Sequence, residues 1–210
     1  ALNIKEAKHP SASFQIIRPH HMRITPQGAW CDGAAVHVET SDENSSLLTA
    51  IYKQKIKDYP KFYKMDGLSR LGFVASELLL QAESTAAASN RGLRQGANHD
   101  DRAVILFNRT SSISSDKKYR KTIQRKEDYF PSPSLFVYTL PNIVTGEIAI
   151  RNSYHGETAF YILPEKDETQ MAEILETVFI DPHTQSVLTG WIDYEDAQHF
   201  EADLYLAERR

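Results

Sequence analysis

The sequence has a single cysteine, no long hydrophobic run and no excess of positive charge. Cys31 stands alone among 210 residues, which excludes an internal disulfide and a cysteine-based zinc module. The 24 Lys and Arg against 28 Asp and Glu leave a net charge of -4, which disfavours nucleic acid and anionic membranes as partners. No apolar run reaches the about 20 residues that cross a bilayer. These absences predict a cytoplasmic protein without a membrane span.

Hydrophobic periodicity predicts an α/β fold. Residues 11–38 alternate in the manner of short strands, with a hairpin turn at Asp32-Gly33, and residues 102–107 are continuously apolar, as is typical of a strand covered on both faces. Further strands are predicted over 159–163, over 186–192 with a break at Gly190, and over 200–206. Apolar residues at helical spacing predict helices over 47–56, 66–82, 141–153 and 168–180. This alternation implies a mostly parallel sheet in one domain of residues 1–210.

Three connecting segments are predicted to lack regular structure. Residues 84–101 are small and polar without an apolar period, which favours a mobile loop. Residues 109–128 form a polar stretch. The two prolines within residues 130–134 disfavour a helix at that place.

No complete catalytic motif is present. The sequence has no glycine-rich phosphate loop, no GxSxG elbow and no HExxH pair. The adjacent His20 and His21 would point to opposite faces of a strand, so we expect no metal site, and we expect no cofactor. Ser111 and Ser112 follow the buried strand 102–107, where α/β proteins often place ligand contacts. A hydroxyl-rich turn is the alternative interpretation of these serines.

A cluster of basic residues follows the serines. Its members are Lys117, Lys118, Arg120, Lys121, Arg125 and Lys126. Such a cluster is a candidate binding site for an acidic carrier protein or a phosphate group. A solvated charged face is the alternative, because most charge runs have no other role.

Several segments between residues 61 and 192 resemble motifs of one enzyme family. Residues 63–72, YKMDGLSRLG, are similar to a K-M-D-x-L-S-x-L-G helix start, and residues 139–150 are similar to a P-N-x-x-x-G-x-I-x-I helix. Gly156-Glu157 stands where the family has Gly-Pro, and residues 187–190 resemble its strand that ends in glycine. The family is that of the β-ketoacyl-ACP synthases, thiolase-like condensing enzymes of fatty-acid and polyketide assembly. The resemblance implies a thiolase-like core over residues 41–210, with helices on both faces of a mainly parallel or mixed sheet, after an N-terminal β-hairpin region over 1–40.

The catalytic residues of that family have no counterpart in this sequence. Counting forward from Gly156, the nucleophilic cysteine falls at about Glu165, where neither Cys nor Ser is present. Acyl transfer needs a thiolate at a helix N-terminus, where the helix dipole lowers the pKa of the thiol. The chain also ends where an active synthase continues into a second repeat with two histidines. The resemblance thus implies a truncated, non-catalytic relative of the kind found in bacterial aryl-polyene and flexirubin-type clusters.

Three functions remain open from the sequence. The leading hypothesis is a partner resembling a chain length factor, which pairs with an active synthase or with itself through the strand 187–192 and contacts acyl carrier protein. The second is an enzyme with relocated catalytic groups, for which His155, Glu165 and the serines 111–115 are candidates. It requires His155 and Glu165 to lie within hydrogen-bond reach in a closed pocket. The third is a stand-alone ligand-binding domain.

Overall fold

The computed structural model describes residues 15–39, 46–89, 100–124, 126–127 and 129–210. These residues form one sheet of eight strands, namely β1 (Ile16–Ile17), β2 (His21–Thr25), β3 (Gly28–Cys31), β4 (Ala34–Ala35), β5 (Arg102–Asn108), β6 (Thr158–Ile162), β7 (Ser186–Tyr194) and β8 (Phe200–Arg209). Their α-helices are α1 (Leu47–Ile51), α2 (Gly67–Ser89), α3 (Ile113–Ile123), α4 (Pro133–Val137), α5 (Ile143–Asn152) and α6 (Glu168–Val178). A π-helical turn, Tyr52–Ile56, continues α1, and a 3-10 helix, Pro60–Lys64, precedes α2.

The sheet is mixed, and its parallel part consists of three strands. The strand order is β4-β3-β2-β8-β7-β5-β6, and β1 extends β2 along the same side of β8. β5 runs parallel to β6 and β7, and the other described pairs are antiparallel. The prediction that the chain pairs with a partner through the strand 187–192 is wrong, because β7 lies between β5 and β8 and has no free edge within the described sheet. Its apolar character reflects burial inside the sheet.

Helices cover both faces of the sheet, as the resemblance implies. On one face α1, α2 and α5 pack over the strands in a large core that includes Phe73 and Val144. Residues 71–79 of α2 are all buried, which explains why this helix is apolar on nearly every side. On the other face, α6 packs against β5 and β7 through Met171 and Leu175.

A buried charged pair fixes the start of β5. Arg102 is 1% exposed, and its guanidinium donates to both carboxylate oxygens of Glu83 on α2, at 2.9 and 2.6 Å. The Nε of Arg102 donates to Ser186 Oγ on β7 at 2.9 Å, and Nη1 donates to the hydroxyl of Tyr154, after α5, at 3.3 Å. One side chain therefore joins the central strand to the elements around it.

Three helical segments differ from the predicted elements. α2 continues to Ser89, so residues 84–89 are helical, while residues 90–99 of the predicted mobile loop lie outside the described residues. α3 occupies most of the polar stretch 109–128, and serines fill two of its buried positions, which hid its apolar period. α4 begins at Pro133, where the missing N–H costs nothing because the first helical turn has no partner for it.

β7 is continuous through Gly190, where a break was predicted. Gly190 has φ 139°, and a Cβ there would collide with the carbonyl oxygen of Asp203 on β8. Glycine at this position therefore permits the close approach of β7 and β8. The hairpin turn at Asp32-Gly33 is present as predicted, and both residues have positive φ, 49° and 80°.

Candidate functional site

The carboxyl ends of β5, β6 and β7 lie side by side, because these three strands are parallel neighbours. In open α/β sheets, ligands and catalytic groups lie beyond such strand ends. Residues 109–112 follow β5, residues 163–167 follow β6, and residues 195–199 follow β7. These three loops define the candidate site.

The serines after β5 hold the turn in shape. Asn108 is fully buried, and its side chain bonds to the backbone of Ser111 in both directions, at 2.8 and 3.1 Å. Ser112 Oγ donates to the carbonyl of Thr139 at 2.7 Å. Ser115 Oγ donates to Asp66 at 2.6 Å. These contacts agree with the interpretation of a hydroxyl-rich turn, since the hydroxyls of Ser112 and Ser115 already have acceptors within the protein.

The loop after β6, residues 163–167, leads into α6. Glu165 is exposed, and Asp167 caps α6 by accepting from the backbone N–H groups of Thr169 and Gln170 at 2.9 and 3.1 Å. The helix N-terminus is thus satisfied by the side chain of the chain's own cap residue. Glu165 lies between β6 and α6, two residues before the cap residue Asp167.

An ion pair ties this loop to the sheet. The Lys166 ammonium donates to Asp203 on β8, and Asp203 also contacts the His21 ring on β2. Burial alone would raise the pKa of the Asp203 carboxyl, but the hydrogen bonds from Lys166 and His21 outweigh it and hold that pKa below its usual value. The loop 163–167 is therefore fixed to β8 by an ion pair that was not predicted from the sequence.

His155 lies at the other end of β6. Its Nδ1 is 2.7 Å from Asp100 Oδ1, and both side chains are largely exposed. His155 precedes β6 while Glu165 follows it, and a strand of five residues is about 16 Å long. The structure does not bring these two residues together, so the geometry required by the relocated-enzyme hypothesis is not found.

The predicted basic cluster lies on and just after α3. Lys117, Lys118, Arg120 and Lys121 are exposed, and none of them forms an ion pair with another described residue. On a helix, these four positions span one broad outward face. Lys126 is also exposed, and Arg125 lies outside the described residues. We call the face of the four α3 cations the basic face.

An apolar surface beside α3 was not predicted. Its exposed side chains are Ile123, Tyr129, Phe130, Phe136, Val137 and Leu140. Phe130 is 82% exposed, and α4 contains no buried residue. The rings of Tyr119 on α3 and Phe136 on α4 are 5.4 Å apart, so this surface adjoins α3. The sequence signal for this exposed surface was a segment of aromatic residues interleaved with prolines, because such a segment is poorly suited to packing in a core.

The described residues contain neither a candidate metal site nor a candidate membrane-spanning helix. Among the described residues, no group of three or more His, Cys, Asp or Glu side chains is placed to hold a metal ion. None of the helices seen in the described ranges is long and apolar enough to cross a membrane.

Comparison with known proteins identifies the fold. No protein-family model and no curated protein matches the chain. The ishigamide ketosynthase/chain length factor is 15% identical, with a TM-score of 0.63 over 92% of this chain and 62% of that chain. The ketosynthase ApeO in complex with its chain length factor ApeC, from Xenorhabdus doucetiae, is 16% identical, with a TM-score of 0.59 over 93% and 78%.

A third similar structure contains a carrier protein. In AntDE:AntF, a type II polyketide synthase acyl-carrier protein is bound to its ketosynthase; the identity is 13% and the TM-score 0.61, over 93% of this chain and 62% of that chain. This chain spans less than two thirds of the length of the first and third of these structures. The thiolase-like fold of ketosynthases and chain length factors is therefore confirmed. Within that fold, the loop of residues 163–167 contains no cysteine, serine or threonine.

We expect Asp203→Asn to lower the free energy of unfolding by about 2 kcal/mol at neutral pH, because Lys166 and His21 lose a charged acceptor. A carboxyl with a depressed folded pKa stabilises the protein above its unfolded pKa of about 3.9, and this effect disappears as pH falls through the lower folded pKa. In urea unfolding, the difference between wild type and variant should be constant above about pH 5 and shrink below about pH 4.

Glu201→Gln is the matched control on the same strand. Glu201 is 3.7 Å from Arg23 in an exposed pair, so its replacement should change stability by less than about 1 kcal/mol. Equal stability of wild type and Asp203→Asn throughout this pH range would show that Asp203 does not hold the loop.

Proposed function

We propose that this chain is a non-catalytic subunit that pairs with an active ketosynthase, in the manner of a chain length factor. The main supporting observation is a ketosynthase-type fold in which the loop 163–167, the proposed counterpart of the nucleophile loop, contains Glu165 and is held by the ion pair of Lys166 and Asp203. The loop from Leu163 to Asp167 contains neither a thiol nor a hydroxyl side chain. The scaffold is kept, and the group that would accept an acyl chain is absent from its place in the loop.

The single cysteine does not replace the missing nucleophile. Cys31 lies on β3 beside a hairpin turn, and burial, followed by the nearby Asp32 carboxylate, raises the pKa of its thiol. The neutral thiol is therefore favoured, whereas acyl transfer requires the thiolate. The Glu165 carboxylate is a poor acceptor for an acyl group. Both observations support a role in which the partner supplies the chemistry.

The similar structures suggest which partners to test. One contains a ketosynthase with its chain length factor, and another contains a ketosynthase with an acyl-carrier protein. We infer the same two partner classes for this chain. The acyl products would be those of fatty-acid or polyketide-type assembly, as in the aryl polyenes.

The free edge of β6 is the proposed contact with the ketosynthase. Within the described chain, β6 pairs on one side only, with β5. The Leu163 N–H donates to the Asn108 carbonyl at 2.8 Å, and the Val104 N–H donates to the Glu157 carbonyl at 2.8 Å. The backbone groups of the odd-numbered residues in and around β6 therefore bond to β5. The N–H groups of the even-numbered residues, Ile162 among them, then face outward. An unpaired strand edge is a template for a strand of another chain.

We expect the chain to form a 1:1 complex with its partner ketosynthase. Ile162→Pro should raise the dissociation constant of this complex by at least about tenfold. Proline removes an outward N–H while leaving the bonds from β6 to β5 in place. Light scattering after gel filtration gives the mass of the complex, and titration gives its dissociation constant.

Ile162→Thr is the control, because it shortens the same half-exposed side chain and keeps the N–H. Circular dichroism checks that each variant folds, and Thr158→Pro at the other end of β6 substitutes for Ile162→Pro if that variant unfolds. Association unchanged in the proline variants would refute the β6 contact. Self-association of the chain without any complex with ketosynthase would refute the proposed partner.

The basic face of α3 is the proposed contact with acyl carrier protein. Its four exposed cations lack ion-pair partners in the described chain, and the apolar surface beside them offers contact area to the same partner. Charge of this kind acts mainly on the rate of encounter and on specificity. An acidic carrier protein has the complementary charge.

We expect the double variant Lys117→Glu and Lys121→Glu to weaken binding of acyl carrier protein by about tenfold, with a smaller effect at high salt. Lys53→Glu with Lys57→Glu, on the π-helical turn and just after it, changes the net charge equally and serves as the control. Equal loss of binding in both double variants would show that net charge, and not the basic face, attracts the carrier.

A further inference from the structure

A small cavity lies where α2 begins, between α3 and the hairpin that joins β7 to β8. Its volume is about 180 Å³. Leu48, Met65 and Phe200 form an apolar wall, and all three side chains are buried. Arg70, Lys118 and Asp66 also line the cavity. Its lining thus combines apolar side chains with charged ones.

The charged residues of the lining carry more positive than negative charge. Asp66 already accepts from Ser69 N–H at 2.9 Å with one oxygen and from Ser115 Oγ at 2.6 Å with the other. Arg70 donates through Nε and Nη2 to backbone carbonyls of the preceding 3-10 helix, which fixes its guanidinium beside the cavity. Lys118 has no ion-pair partner among the described residues. The lining therefore contains two cations and one carboxylate, and both oxygens of that carboxylate already accept hydrogen bonds.

The position of the cavity also suits a ligand. Tyr194, the last residue of β7, forms part of the wall, and its ring stacks on Phe200 at a centroid distance of 5.8 Å. The carboxyl end of a parallel strand is the usual place for ligands in open α/β sheets. This cavity is separate from the loop 163–167, because its lining comes from α1, α2, α3 and the β7–β8 hairpin.

We propose that this cavity binds a small carboxylate with a short apolar tail. The carboxylate pairs with Lys118 and Arg70, and the tail lies against Leu48 and Phe200. The volume accommodates about six to eight non-hydrogen atoms, the size of a four- to six-carbon acid. The inference does not depend on the proposed pairing with a ketosynthase, since every lining residue belongs to this chain.

The test uses hexanoate as the probe and the full chain as the receptor. Titration followed by amide NMR should give saturable shifts at Leu48, Met65 and Phe200. 1-Hexanol, which lacks the charge, and inorganic phosphate, which lacks the tail, should each bind at least about tenfold more weakly. Lys118→Met should weaken hexanoate binding by about tenfold, because it removes a cation that faces the carboxylate.

Lys53→Met is the control, because Lys53 is an exposed lysine that lies outside both the cavity wall and the basic face. Ala197→Trp, on the exposed hairpin, should block hexanoate binding by filling the cavity while keeping the fold. Absence of hexanoate binding, equal affinity in the two methionine variants, or equally tight binding of 1-hexanol or phosphate would overturn the inference. None of these results bears on association through β6, so the two proposals fail separately.

Discussion

The ion pair of Arg102 and Glu83 joins the central strand β5 to the helix that packs over it. A guanidinium that is 1% exposed is tolerated only when its charge and its donors are matched, and removal of one member of such a pair costs about 3–5 kcal/mol. Glu83 lies on α2 and Ser186 on β7, so Arg102 positions a helix and a strand against β5. The carboxyl ends of β5, β6 and β7, and with them the candidate site, are placed by the same strand.

Much of the fold could be predicted because burial leaves a period in the sequence. The buried run 102–107 and the helical spacing within α2, α5 and α6 are both direct consequences of packing against the sheet. α3 left a weak period because serines occupy two of its buried positions and cations its exposed ones. The sheet edge was predicted wrongly because a buried strand and an apolar interface strand look alike in sequence. Only the pairing with β8 distinguishes them for β7.

The candidate site was predictable in place and not in its contacts. The apolar periods that predict a strand over 159–163 and a helix over 168–180 place a loop around Glu165, and β6 and α6 confirm that order. The correspondence of this loop with the nucleophile loop of the family stays a prediction. The tie between Lys166 and Asp203 joins residues 37 apart, and His21 is 182 residues from Asp203. Such pairs depend on how β2 and β8 are aligned, which no local pattern reports. The apolar surface beside α3 was hidden for a similar reason, because exposure is a property of the folded chain.

We propose that this polypeptide keeps a ketosynthase-type fold without forming an acyl-enzyme. In this proposal, the loop with Glu165 and the Lys166–Asp203 pair is the counterpart of the loop that carries the thiolate in a ketosynthase. The most direct measurement is the intact mass of the purified chain after incubation with acyl-ACP and malonyl-ACP, with and without the partner ketosynthase. The account predicts an unchanged mass for this chain under each condition, with acyl groups found on the ketosynthase. A mass increase equal to an acyl group on this chain would contradict it.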